Sequence, residues 1–103
     1  MATYILLGTF TEQGIRKIKD TTKRADALRA MGKKLGVDVK EVYWTLGQCD
    51  VAAILDASDE AAATSLALSV GSLGNVRTQL MRAFTEDEIG PILRGKAKPA
   101  RGR

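Results

Sequence analysis

Only Gly47-Gln48 separates two strand-like runs in the middle of the chain, Val37 to Leu46 and Cys49 to Ala57. Two residues leave room for little except a hairpin turn, so the runs are expected to pair antiparallel. Glycine at the first central position suits a type II′ turn, which needs φ > 0 there. That turn fixes a register in which Leu46 opposes Cys49, Trp44 opposes Val51 and Val42 opposes Ala53, while Thr45 opposes Asp50 and Tyr43 opposes Ala52. One face of the hairpin is then wholly apolar, and the other carries Tyr43, Thr45 and Asp50.

The flanking segments repeat one pattern on either side of this hairpin. Thr3 to Phe10 is rich in β-branched and aromatic residues, is apolar on both sides of the pleat, and reads as a central strand. Thr11 can cap a short turn through Ile18, and Thr21 can cap a helix over Thr22 to Leu35, with Ala25, Leu28, Met31 and Leu35 on one stripe and Gly36 as its stop. After the hairpin, Ser58-Asp59 opens a second helix reaching about Leu73, closed by Gly74, and Asn75 to Phe84 is a fourth strand. Thr85 to Glu88 spells a capping box for a terminal turn, which Gly90-Pro91 should cut short.

The order β-α-β-β-α-β with right-handed crossovers is an α+β, ferredoxin-like plait: a four-stranded antiparallel sheet with both helices on one face. The second sheet face stays apolar without a cover, so pairing with another copy, sheet against sheet, is the economical expectation. Size points the same way. A 103-residue chain, 45% hydrophobic and 27% charged, is one small globular domain with little stability margin. We place the domain at 1–94 and expect a disordered basic tail at 95–103, where apolar periodicity ends.

Charge and composition exclude several function classes. Residues 12–40 hold nine Lys and Arg against four acids, a balance of +5; residues 41–93 hold two against eight, or −6; residues 94–103 hold five and no acid. The basic character is thus largely a tail property, and aromatic residues are not interleaved with the basic helix, so specific nucleic-acid binding is not expected. There is no histidine and only one cysteine. The usual zinc and haem ligand sets, an internal disulfide and histidine acid-base chemistry are therefore out of reach of one chain, and no cofactor or metal is implied. The opening MATYILLGTF has neither a leader pattern nor the length of a membrane span, so a cytoplasmic location is expected.

The stretches "TEQGIRKIKDTTKR", "VYWTLGQCDVAAI", "SDEAAA" and "SLGNVRTQLMRAFTEDE" together resemble the GYD-domain family of small bacterial and archaeal proteins, nearly colinearly from Thr3 to about Glu88. "LGQCD" and "GSLGNVRT" are the specific elements. That family is similar to the dimeric α/β-barrel group, in which two plaits join through their sheets, so the resemblance implies the same fold and assembly and an uncharacterised activity. Two departures stand out. Cys49 occupies the place of the tyrosine before aspartate in the family's name-giving pattern, and Pro91 with the basic tail differs from the usual ending.

Four polar residues are candidate ligand contacts: Tyr43, Thr45, Asp50 and Arg77. A partly desolvated Asp50 could serve as a general base or hold a cationic or hydroxylated ligand; its bland role is to bind backbone amides or the Thr45 hydroxyl and pin the register. Cys49 lacks a base and has an anion beside it, so it reads as a small core residue. Arg77 follows "GSLGN", but those glycines end a helix instead of opening one, which suits termination better than a phosphate cradle. Arg77 and Arg82 remain anion clamps or surface partners of acids, on opposite sheet faces. Trp44 is expected between helices and sheet, and Tyr43 at a subunit seam. The expected function is a homo-oligomeric small-molecule-binding module; the alternatives are a cofactor-independent enzyme, monooxygenase-like or isomerase-like, and a structural assembly subunit.

Overall fold

A computed structural model of the protein describes residues 1–95; the stretch expected to be a disordered tail lies, apart from Gly95, outside the described residues. The strands are β1 (Ala2–Phe10), β2 (Val37–Trp44), β3 (Val51–Ala57) and β4 (Val76–Ala83). The helices are α1 (Glu12–Arg16), α2 (Thr21–Leu35), α3 (Glu60–Ser72) and α4 (Glu86–Leu93), with a 3-10 turn at Ile18–Asp20. The sheet runs β2-β3-β1-β4 and every pairing is antiparallel, which is the ferredoxin-like order expected from the sequence. Apolar residues at helical spacing lay α2 and α3 on one face, over a core that includes Tyr4, Leu6, Leu28, Leu55 and Leu66.

Strand alternation sorts the two faces. Tyr4, Leu6, Gly8 and Phe10 of β1 point to the helices, while Thr3, Ile5, Leu7 and Thr9 point the other way. On that open face Ile5 opposes Ile54 and Met81, and Leu7 opposes Ala52 and Gln79. No described element lies over this surface, whose Tyr43 and Met81 are 53% and 43% exposed.

The hairpin keeps its expected register but not its expected length. Trp44 opposes Val51, Tyr43 opposes Ala52 and Val42 opposes Ala53, yet the strands end at Trp44 and begin again at Val51. One further backbone bond, from Thr45 N–H to the Asp50 carbonyl at 2.8 Å, continues the pairing. Beyond it the Thr45 hydroxyl donates to the Cys49 carbonyl at 2.7 Å, a side chain taking the place of a ladder amide. Gly47 has a positive φ of 134°, but no backbone bond between Leu46 and Cys49 closes the expected two-residue turn, and Leu46 projects fully into solvent, so the apolar face stops at Trp44.

Three further departures have physical causes. A bulge at Lys40 shifts β2 between Val39 and Glu41, so Val37, Val39, Val42 and Trp44 all face the helices, which an unbroken strand would forbid. The N-cap of α2 is Asp20 instead of Thr21, whose hydroxyl accepts the indole N–H of Trp44 at 2.9 Å. Finally, α4 runs through Pro91 to Leu93. The Thr85–Glu88 capping box fixes its start, and Gly90, lacking a Cβ, removes part of the clash that usually keeps the residue before proline out of helical conformation. The carbonyl deprived of a partner by Pro91 is that of exposed Asp87, open to water.

Candidate functional site

One end of the sheet gathers most of the chain's distinctive residues. There β1 ends at Phe10, β2 ends at Trp44, β3 begins at Val51 and β4 begins at Val76. The three connections that meet at this end are tied to one another by side chains. The Asp50 carboxylate accepts the Phe10 backbone N–H at 2.8 Å, while the Asp50 N–H donates to the Gly8 carbonyl at 2.9 Å. This carboxylate thus extends the β1–β3 ladder past its last residue pair.

The turn after β1 is fastened to the α3–β4 loop. Thr11 donates its N–H to the Asn75 carbonyl at 3.1 Å and its hydroxyl to the Gly74 carbonyl at 2.6 Å, while the same hydroxyl accepts from Gly14 N–H at 3.1 Å. Gln13 reaches across to the Leu73 carbonyl and the Asn75 side chain. A Cβ on Gly14 would fall 2.0 Å from the Asn75 carbonyl oxygen, so only glycine permits this approach. Gly74, at φ 87°, makes the sharp exit from α3.

These ties close the end of a cavity of about 100 Å³ between α2, α3 and the sheet. Its walls are mainly apolar, among them Leu6, Phe10, Leu28, Trp44 and Val70. One charged side chain borders it among the described residues, that of Arg24, and no acid does. Arg24 Nη2 donates to the carbonyls of Gly14 at 3.0 Å and Lys17 at 2.9 Å, and the guanidinium stands 5.8 Å from the centre of the Phe10 ring. Its Nε and Nη1 are buried without an acceptor among the described residues. Trp44, 45% exposed and held by Thr21, stands at the edge of the same cavity.

The residues singled out from the sequence fall on both sides of the sheet. Tyr43 lies on the open face beside Ala52, and Arg77 lies on the same face opposite Thr9, at the far edge. Thr45 is committed to Cys49, and Asp50 to Phe10. None of the four borders the cavity. Cys49 is half-buried, its Sγ 3.5 Å from the Thr45 hydroxyl. Arg82 faces the helix side, covers the Phe84 ring at 4.3 Å and reaches Glu88 at 3.8 Å.

Comparison with known proteins settles kinship. The profile of the GYD domain matches residues 4–93. The chain belongs to the GYD-domain family. A protein of Thermus thermophilus, named glutamine synthetase and cystathionine beta-lyase binding protein, is 29% identical over 85 residues, which are 82% of this GYD domain chain and 90% of the relative. The crystal structure of TTHA0845, from the same organism, superposes with a TM-score of 0.54 at 25% identity, covering 82% of this chain and 95% of that one. In this GYD domain the two specific elements of the resemblance, "LGQCD" and "GSLGNVRT", both reach the cavity end of the sheet, the first through Asp50 on Phe10 and the second through Gly74 and Asn75 on Thr11.

Sequence reasoning passed over Arg24 by assigning it to a solvated basic helix. Its position held a signal all the same. Arg24, Leu28, Met31 and Leu35 recur at the spacing of one helical face, so a cation stands on the apolar stripe itself.

Proposed function

We propose that this GYD domain is a cytoplasmic, non-catalytic binding protein that works as a homodimer joined through its open sheet faces, with a small organic molecule held in the helix-side cavity of each copy. The observation that carries the reading is the uncovered apolar surface of Ile5, Leu7, Tyr43, Ile54 and Met81 opposite the helix layer. Four strands about 4.8 Å apart and about eight residues long present on the order of 500 Å² in projection. That is the same order as the ~800 Å² per partner of a stable interface. Arg77 at one edge and Glu41 at the other, neither in an ion pair among the described residues, give the face complementary ends.

In this reading Tyr43 and Arg77 serve the seam, Thr45 and Asp50 hold the hairpin against β1, and the ligand meets the other side of the sheet. The relative named as a binding protein for two enzymes agrees with a role in binding in place of turnover. Light scattering during size-exclusion chromatography tests the pairing on Met81→Lys, a substitution at a 43% exposed position that leaves the core untouched. The unaltered chain should elute as a dimer and the variant as a folded monomer. A monomeric parent chain would defeat the proposal.

A further inference from the structure

Resting on the reading of the cavity as a small-molecule site, we infer that its ligand is a compact apolar carboxylate, bound with its charged group against Arg24. Guanidinium N–H groups removed from water need acceptors, and Nε and Nη1 of Arg24 have none among the described residues although Nη2 is fully engaged. The apolar walls offer a water few partners of its own. No acid is on the lining, and Arg24 is in no ion pair among the described residues. A carboxylate at the cavity wall supplies the missing charge, and a small rotation of the guanidinium brings one of its unpartnered N–H groups to the carboxylate.

The rest of the cavity sets the body of the ligand. Leu6, Leu28, Val70 and the Phe10 ring offer only apolar contact, and a space of about 100 Å³ suits a short branched or cyclic hydrocarbon. Inorganic phosphate is a poor match, because most of its acceptor oxygens would meet walls that are mainly apolar. Trp44 is the only tryptophan and stands at the edge of the cavity, so its emission reports occupancy.

The experiment titrates the full chain with 3-methylbutanoate, 3-methylbutanol and inorganic phosphate, following Trp44 fluorescence and backbone amide shifts. The carboxylate should bind saturably and at least about tenfold more tightly than the alcohol, with shifts centred on Phe10, Arg24 and Trp44, and phosphate should have no effect there. Arg24→Gln should abolish the preference while the alcohol still binds. Since Arg24 also holds two loop carbonyls, Ala27→Leu provides a second variant: it narrows the cavity from an exposed helix position and should weaken both organic probes without disturbing Arg24. Equal affinity for acid and alcohol, or carboxylate binding unchanged in Arg24→Gln, would overturn the inference and leave the small-molecule reading standing. Failure of both organic probes to bind would overturn both.

Discussion

Asp50 shows how a conspicuous residue can be explained by the backbone it serves. Its carboxylate takes the Phe10 N–H just where the β1–β3 ladder ends, so its chemistry is that of a missing carbonyl. Charge-assisted bonds of this type contribute about 1.5–3 kcal/mol, and Asp50→Ala should cost about that in urea unfolding. Asp50→Asn keeps an acceptor and should cost less than half as much; equal losses for the two would show that the charge and the acceptor do not matter here. The same residue marks the reach of sequence reasoning. The register that places Asp50 was legible from Gly47-Gln48, but Phe10 as its partner was not, because that contact joins positions forty apart through the fold. Arg24 was hidden differently: a cation in a basic stretch looks solvated until the apolar stripe around it is drawn.

Among the elements, those defined by local rules came through and those defined by tertiary contact did not. The central strand, both long helices and the Gly36 and Gly74 stops follow from periodicity and capping chemistry. The Lys40 bulge left no mark, since either face of "VDVKEVYW" offers valines and the shift serves the packing of β2 under α2. Helix α4 was underestimated because Gly90-Pro91 was given more weight than the capping box that precedes it. Its anchoring has a pH signature. The Glu88 carboxyl is held below the usual carboxylate range, first by the backbone N–H of Thr85 and then, against a small burial penalty, by the nearby Arg82. A depressed folded value means that the cap contributes fully above the ordinary carboxylate value of 4.5 and is lost as pH falls through the lower, folded one. Amide exchange at Ile89 and Ile92 should therefore quicken, relative to the rest of the chain, only in acid below that range. Glu88→Gln, which retains the reciprocal bond geometry without a titrating group, should remove the acid step; an unchanged step in that variant would mean that another group controls α4.

At the scale of the whole molecule, the chain is a thin slab of 48 × 30 × 17 Å with helices on one broad side. Its core holds the helix side together, and the Thr11, Gly14, Asp50 and Asn75 contacts lock one end, but the opposite sheet face remains apolar and uncovered by any described element. A small domain with that much unsatisfied apolar surface gains most from a second copy, and such pairing leaves the Arg24 cavity on the outer side, free to exchange ligand. Native mass spectrometry of the purified full chain puts this arrangement to its most direct test. The expected species is a dimer at twice the 11.1 kDa chain mass, with binding of one added 3-methylbutanoate per chain that survives at that mass. A bare 11.1 kDa monomer at micromolar concentration, unchanged by the added carboxylate, would contradict it.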